Sequence, residues 1–178
     1  MCLQVGSFPS DEAAEPSWET VAQAWLYGMA PDRNVLVGER PFDVADAHSA
    51  DAAYYFEHVF DPSGDLLDDV DEQFEWVAGR ALFLHDVQVP RARRRRGHAS
   101  LLVSDAILTL ATAGTAVLAH PGPTDLPPDG NEVGRLRGET ANTRFLAHLG
   151  FVPFRDRLWT LDLSVRAGLE TLGRIRRG

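Results

Sequence analysis

The stretch VQVPRARRRRGHASLLVSDAI, Val87 to Ile107, limits what this chain can fold into more than any other. An alternating apolar strand end enters a loop holding Arg91, Arg93, Arg94, Arg95 and Arg96, and Gly97-His98-Ala99 then opens an apolar helix. The start of a helix carries backbone N–H groups with no partner inside the helix, and the aligned peptide dipoles make that end electropositive. Small residues there let a phosphate approach the backbone, and neighbouring arginines add charge. Strand, basic loop and helix in that order read as a cradle for a pyrophosphate.

The patterns on either side extend this into an α/β order with a mixed sheet. Arg80 to Val89 reads as the best strand, continuously apolar in its first half, as expected of a strand covered on both faces. His98 to about Thr112 is the helix, ended by Gly114, and Thr115 to Ala119 is a buried strand closed by His120-Pro121-Gly122-Pro123. Residues 121–138 read as a long loop, Glu139 to Leu149 as a helix capped by Gly150, and Phe151–Arg155 with Leu158–Leu163 as a hairpin. A C-terminal helix occupies 164–178. Upstream, residues 1–16 are expected to be flexible. Ser17 to Met29 is expected as an amphipathic helix carrying Trp18, Val21, Trp25 and Leu26, Asn34 to Glu39 as a short strand, and Val44–Val59 and Asp65–Ala78 as further helices. Neither a Gly-x-Gly-x-x-Gly turn nor a P-loop is present, the latter needing a lysine that this chain lacks altogether.

At 178 residues the chain is expected to be a single domain over 1–178, large enough to bury a core without staples. Its one cysteine, Cys2, excludes an internal disulfide framework and sits too near the terminus to be a good nucleophile. The absence of lysine removes Schiff-base chemistry. No metal-ligand pattern is read. The apolar run Ala99–Ala119 is interrupted by Asp105, so no membrane partner is expected, and with no signal-peptide order at the start the expected location is cytoplasmic. Residues 1–90 hold 18 Asp/Glu against 3 Arg, residues 91–178 hold 8 against 14. A net charge of −9 makes a poor general nucleic-acid binder, while the C-terminal half should attract anions.

Two blocks then carry a resemblance. Arg94-Arg95-Arg96-Gly97-His98-Ala99 fits the Arg/Gln-x-x-Gly-x-Gly/Ala signature of the GNAT superfamily of acyl-CoA-dependent N-acetyltransferases. Arg144-Phe145-Leu146-Ala147-His148-Leu149-Gly150-Phe151 resembles that superfamily's closing helix and its entry to the last hairpin, so the likeness covers roughly residues 80–163. It implies a GNAT-like fold, with a mixed, mainly antiparallel sheet flanked by helices and a C-terminal hairpin, that binds acetyl-CoA or another acyl-CoA as co-substrate. Arg94, Arg95, Arg96, Gly97, His98, Ala99 and Ser100 would then hold the pyrophosphate. Val87 and Val89 would pair with the pantetheine arm, and Asn142 would hydrogen-bond pantetheine or phosphate.

Acyl transfer to an amine needs a proton acceptor for the nitrogen and a donor for the departing charge. His85 lies two residues from both Phe83 and Val87, so all three are expected on one face, where the family often places a base. Asp86, the second catalytic candidate, points the other way unless a bulge intervenes. His120 is a third candidate base. The family often has a tyrosine donor four residues before the closing glycine; here that position is Leu146. Tyr54, Tyr55 and Phe56 read as core packing. The acidic N-terminal half favours a cationic acceptor, such as a polyamine, an aminoglycoside or a basic peptide. Two other readings stand beside this one: a catalytically degenerate CoA-binding sensor or interaction protein, and a nucleic-acid or anionic-partner module built on Arg91–Arg96. A homodimer stays open.

Overall fold

A computed structural model describes residues 2–7, 19–29, 41–48, 50–74, 80–112, 114–122, 132–155 and 157–177. Among the described residues six strands form one sheet: β1 (Cys2–Ser7), β2 (Glu19–Met29), β3 (Arg80–Gln88), β4 (Thr115–Ala119), β5 (Val152–Pro153) and β6 (Trp159–Asp162). Their order is β1-β2-β3-β4-β6-β5, with β3 and β4 parallel and every other pair antiparallel. The helices are α1 (Pro41–His48), α2 (Ala50–Glu57), α3 (Asp68–Gln73), α4 (His98–Leu110), α5 (Glu132–Leu149) and α6 (Arg166–Arg177).

Alternation along the strands divides the interior into two cores. Leu82, Leu84, Val117, Ala119 and Leu161 pack on one face against Leu102, Val103 and Ile107 of α4, Leu146 and Leu149 of α5, and Leu172 of α6. Ala81, Phe83, Ala116 and Leu118 pack on the other against Ala45 of α1, Tyr55 and Phe56 of α2 and Val70 of α3. The molecule is thus an α/β layer structure with helices on both faces of a mixed sheet.

The segment Ser17–Met29 was expected as a helix; from Glu19 it is instead the strand β2. Ala22, Ala24 and Leu26 join the α4-side core, while Tyr27 and Met29 reach the other, a period of two. The alanines favour a helix locally, but ladders to both β1 and β3 satisfy this backbone on two sides. Cys2–Ser7, expected to be flexible, is the sheet's edge strand β1. The expected strand Asn34–Glu39 lies outside the described residues. Within residues 44–59, Val44–His48 and Ala50–Glu57 are helical, in α1 and α2, and a bridge between Phe60 and Leu66 delays the start of the next helix, Asp68–Gln73, while residues 75–78 of that expected helix lie outside the described residues. Helix α5 begins seven positions before the expected Glu139. Its glycine-interrupted first half is supported by Arg135, which bonds Glu139 at 3.2 Å, and by Thr140 Oγ1 donating to the Leu136 carbonyl at 2.8 Å.

Candidate functional site

The parallel pairing of β3 with β4 runs from Arg80↔Thr115 to Leu84↔Ala119 and stops. Strand β3 continues four residues to Gln88, while the chain leaves β4 through His120-Pro121-Gly122. The two strands therefore part at their carboxyl ends, and a cleft of about 360 Å³, counted out to open solvent, fills the gap. Its walls are Leu84, His85, Asp86 and Val87 from β3, Ala119, His120 and Gly122 from the end of β4, and Asn142, Phe145 and Leu146 from α5. Open α/β sheets bind ligands at this place because strands stop pairing there and expose backbone between loops.

A bulge sets the side chains on the β3 wall. In the antiparallel ladder with β2, Leu26 pairs Leu84 and Trp25 pairs Asp86, so His85 is the extra residue of a bulge. Leu84 and Val87, three residues apart, consequently share the α4-side core, to which Val89 also packs. His85 lies on the other face, its ring 5.1 Å from that of Tyr27 and 6.5 Å from that of Tyr55. Val87 does not share the His85–Phe83 face as expected, because the extra residue reverses the alternation. The same shift brings Asp86 onto the face of His85, where Gln88 Nε2 donates to Asp86 Oδ2 at 2.8 Å. Asp86 Oδ1 is sealed from solvent and has no hydrogen-bond partner among the described residues. Leaving such an acceptor unmet costs about 1–3 kcal/mol, a cost that a cationic ligand would remove.

The opposite wall is a clamped turn. His120 Nδ1 accepts the Gly122 N–H at 2.9 Å, and Asn142 Nδ2 donates to the Gly122 carbonyl at 3.0 Å. Asn142, expected to face a cofactor, thus spends its amide on the turn after β4 while still lining the cleft. Burial, then the charge of Arg157, hold His120 below the usual histidine range; His58 adds to this and Glu139 opposes it. Glu139 is itself held below the usual carboxylate range, first by the hydrogen bond from Arg157. Leu146 is buried and apolar at the cleft's α5 wall.

Beyond Gln88 the arginine loop follows. Arg94 Nε donates to the Val89 carbonyl at 3.0 Å, tying the loop back to the strand. Arg95 and Gly97 both adopt left-handed backbone, at φ +63° and +80°. Gly97 is the residue before α4, whose first intrahelical bond runs from Leu101 N–H to the Gly97 carbonyl at 3.0 Å. No side chain of Gly97 caps the turn, so the N–H groups of His98, Ala99 and Ser100 begin the helix uncapped by it. Arg94, Arg95, Arg96 and Gly97 are exposed and His98, Ala99 and Ser100 half-buried; none of the seven lines the cleft, which lies at the same end of β3.

His85, Asp86, Val87 and Asn142 are therefore brought to one cleft, with Val89 and residues 94–100 on the adjoining strand end, loop and helix start. The turn His120-Pro121-Gly122 as a positioning device, and the Glu139–Arg157 pair behind it, escaped the sequence reading. A histidine two residues before a glycine at a strand's end was the available signal. Among the described residues no group of three or more His, Cys, Asp or Glu could hold a metal ion, and no helix is long and apolar enough to cross a membrane. No protein-family model matches this chain, and neither a curated protein nor a solved structure does.

Proposed function

We propose that the cleft is the transfer site of a GNAT-like N-acyltransferase, moving an acetyl group from acetyl-CoA directly to an amine. The observation that carries this reading is the parting of the parallel pair beside a basic, left-handed loop. Beyond Leu84, β3 has no β4 residue to pair with, which leaves an edge for an extended pantetheine arm. The loop Arg94–Gly97 and the N–H groups of His98, Ala99 and Ser100 lie just past that edge, suited to a pyrophosphate. In this reading His85 takes the proton from the attacking amine. Asp86, with an unmet carboxylate oxygen, holds the amine as a cation beforehand.

A second reading rests on Leu146. With an apolar residue where the family often has a tyrosine, the chain would bind CoA without turnover, as a sensor or interaction protein. Calorimetry with acetyl-CoA, followed by CoA release across a panel of mono- and polyamines, tests both. Tight binding with turnover on a cationic amine supports transfer, and tight binding with no turnover on any amine supports the sensor. Gly97→Glu puts a carboxylate at the loop and should weaken acetyl-CoA binding at least about tenfold; unchanged affinity would remove the pyrophosphate site.

A further inference from the structure

Resting on the acyl-transfer reading, we propose that His120 is the hydrogen-bond donor to the sulfur that leaves the thioester, the role that Leu146 cannot fill. The ring's own turn dictates where its proton sits. The Gly122 N–H points at Nδ1 from 2.9 Å, so Nδ1 is an acceptor and the neutral ring carries its proton on Nε2. The orientation is fixed from two sides. A Cβ on Gly122 would come within 2.7 Å of Nδ1, so the glycine lies flush against the imidazole, and Asn142 holds the Gly122 carbonyl at 3.0 Å. Tyr54 stands edge-on at 6.1 Å.

The groups that face the ring favour its uncharged form. Burial and Arg157 act in that direction with His58, against Glu139. A neutral imidazole is too weak an acid to surrender its Nε2 proton, but it stabilises negative charge as a fixed donor. His120 lies on the β4 wall of the cleft, and His85 and Asp86 lie on the β3 wall, so donor and base approach the reacting centre from different strands.

The amine lone pair forms a C–N bond at the thioester carbonyl carbon, and the carbonyl π pair moves onto oxygen. That pair returns as the C–S bond breaks, and sulfur leaves with the bonding pair as a thiolate held by the His120 Nε2–H. His85 takes one proton from the bound ammonium, which frees the attacking lone pair, and a second from the nitrogen once the C–N bond has formed, passing each to water, and the thiolate takes a proton from water on release. Amine and thioester become amide and thiol.

The test compares CoA with desulfo-CoA, in which hydrogen replaces the thiol, on the full chain. Affinities are measured by calorimetry across the pH range in which the thiol ionises, alongside ¹H–¹⁵N spectra of the histidine rings. The expected spectrum has His120 protonated on Nε2 alone. CoA should gain about tenfold or more over desulfo-CoA as its thiol ionises, the size of a charge-assisted hydrogen bond. His120→Leu should abolish that gain, read as the ratio of CoA to desulfo-CoA affinity within the variant. Gly122→Ala, which displaces the ring without removing it, should do the same, and His120→Gln, which keeps an N–H donor, should recover part of it. A gain that persists in His120→Leu, or a ring proton on Nδ1, overturns the role of His120 while leaving CoA binding intact. Failure of both ligands to bind the wild-type chain overturns the cofactor reading, and this role with it.

Discussion

Strand β3 divides into two halves that obey different rules. From Arg80 to Leu84 it is paired by β2 on one side and β4 on the other, and Ala81–Leu84 are buried in the two cores. From His85 to Gln88 it keeps β2 and loses β4, acquires a bulge, and carries polar side chains at His85, Asp86 and Gln88. The first half spends its side chains on cohesion. In the second, pairing with β4 has ended, the side chains are half-buried or exposed, and among the described residues one carboxylate oxygen is unmet, which a ligand could satisfy. A sheet acquires a site where its pairing ends, because only there are backbone and side chains both positioned and available.

Substituting one residue from each half tests that division most sharply. Phe83 is fully buried and stacks on Tyr55 with ring centroids 4.6 Å apart, so Phe83→Ala should cost about 3–5 kcal/mol in denaturant unfolding. His85, two residues on, is only half-buried, and His85→Ala should cost under about 1 kcal/mol while lowering amine turnover without changing CoA affinity. Equal losses of stability from both variants would mean that β3 is uniform and its second half structural.

The next effect belongs to the loop beyond β3. Gly97 has nothing within 4 Å of where a Cβ would lie, so its requirement is conformational rather than spatial. Gly97→Ala should therefore cost only the left-handed backbone penalty, about 1–2 kcal/mol, read from the unfolding midpoint. A loss well above that would show hidden crowding. Arg95 already bears the same strain at φ +63°, and Arg95→Gly should recover up to about 1 kcal/mol.

What the sequence conveyed and what it withheld follow the same line between local and non-local causes. β3, α4, β4, the closing hairpin and α6 were legible because each has a local period and a glycine or proline stop. β2 was not, since Ala22 and Ala24 score as helix formers and only the neighbours β1 and β3 make them a strand. The early start of α5 was hidden because Gly134 and Gly138 weaken the helical pattern there, while the Arg135 pairs with Glu132 and Glu139 link residues far enough apart to be read only on a formed helix. At the site, His85 and Asp86 could be nominated by residue type, Val87 and Asn142 only by the family resemblance. The face each occupies could not, because one extra residue in β3 shifts the register with β2 and reverses the alternation, and no composition announces a bulge. The turn function of Asn142 was equally hidden, since its partner Gly122 is 20 residues away.

The smallest effect concerns the charges behind the second half's opposite wall, and its sign separates two titrations. Arg157 and Glu139 form an exposed pair between the hairpin turn and α5, so Arg157→Ala should cost at most about 1 kcal/mol at neutral pH. His120 has its folded pKa lowered from an ordinary 6.5, by burial first and Arg157 second. The unfolded chain therefore takes up a proton before the folded one does. The stability due to the buried neutral ring is complete above about pH 6.5 and falls as pH drops through the lowered folded value. Without Arg157, and with Glu139 no longer neutralised, that folded value moves back up and the acid loss shrinks. Glu139, lowered from an ordinary 4.5 chiefly by the Arg157 hydrogen bond, stabilises the fold above that pH and loses its contribution as pH falls through its own folded value. In Arg157→Ala this second decline should disappear. Unfolding curves of the two proteins, separated slightly at neutral pH, should thus converge in two stages as the solution is acidified, one beginning near pH 6.5 and one below pH 4.5. Parallel curves across both windows would mean that Arg157 acts on neither group, and the electrostatic support for a neutral His120 would then rest on burial alone.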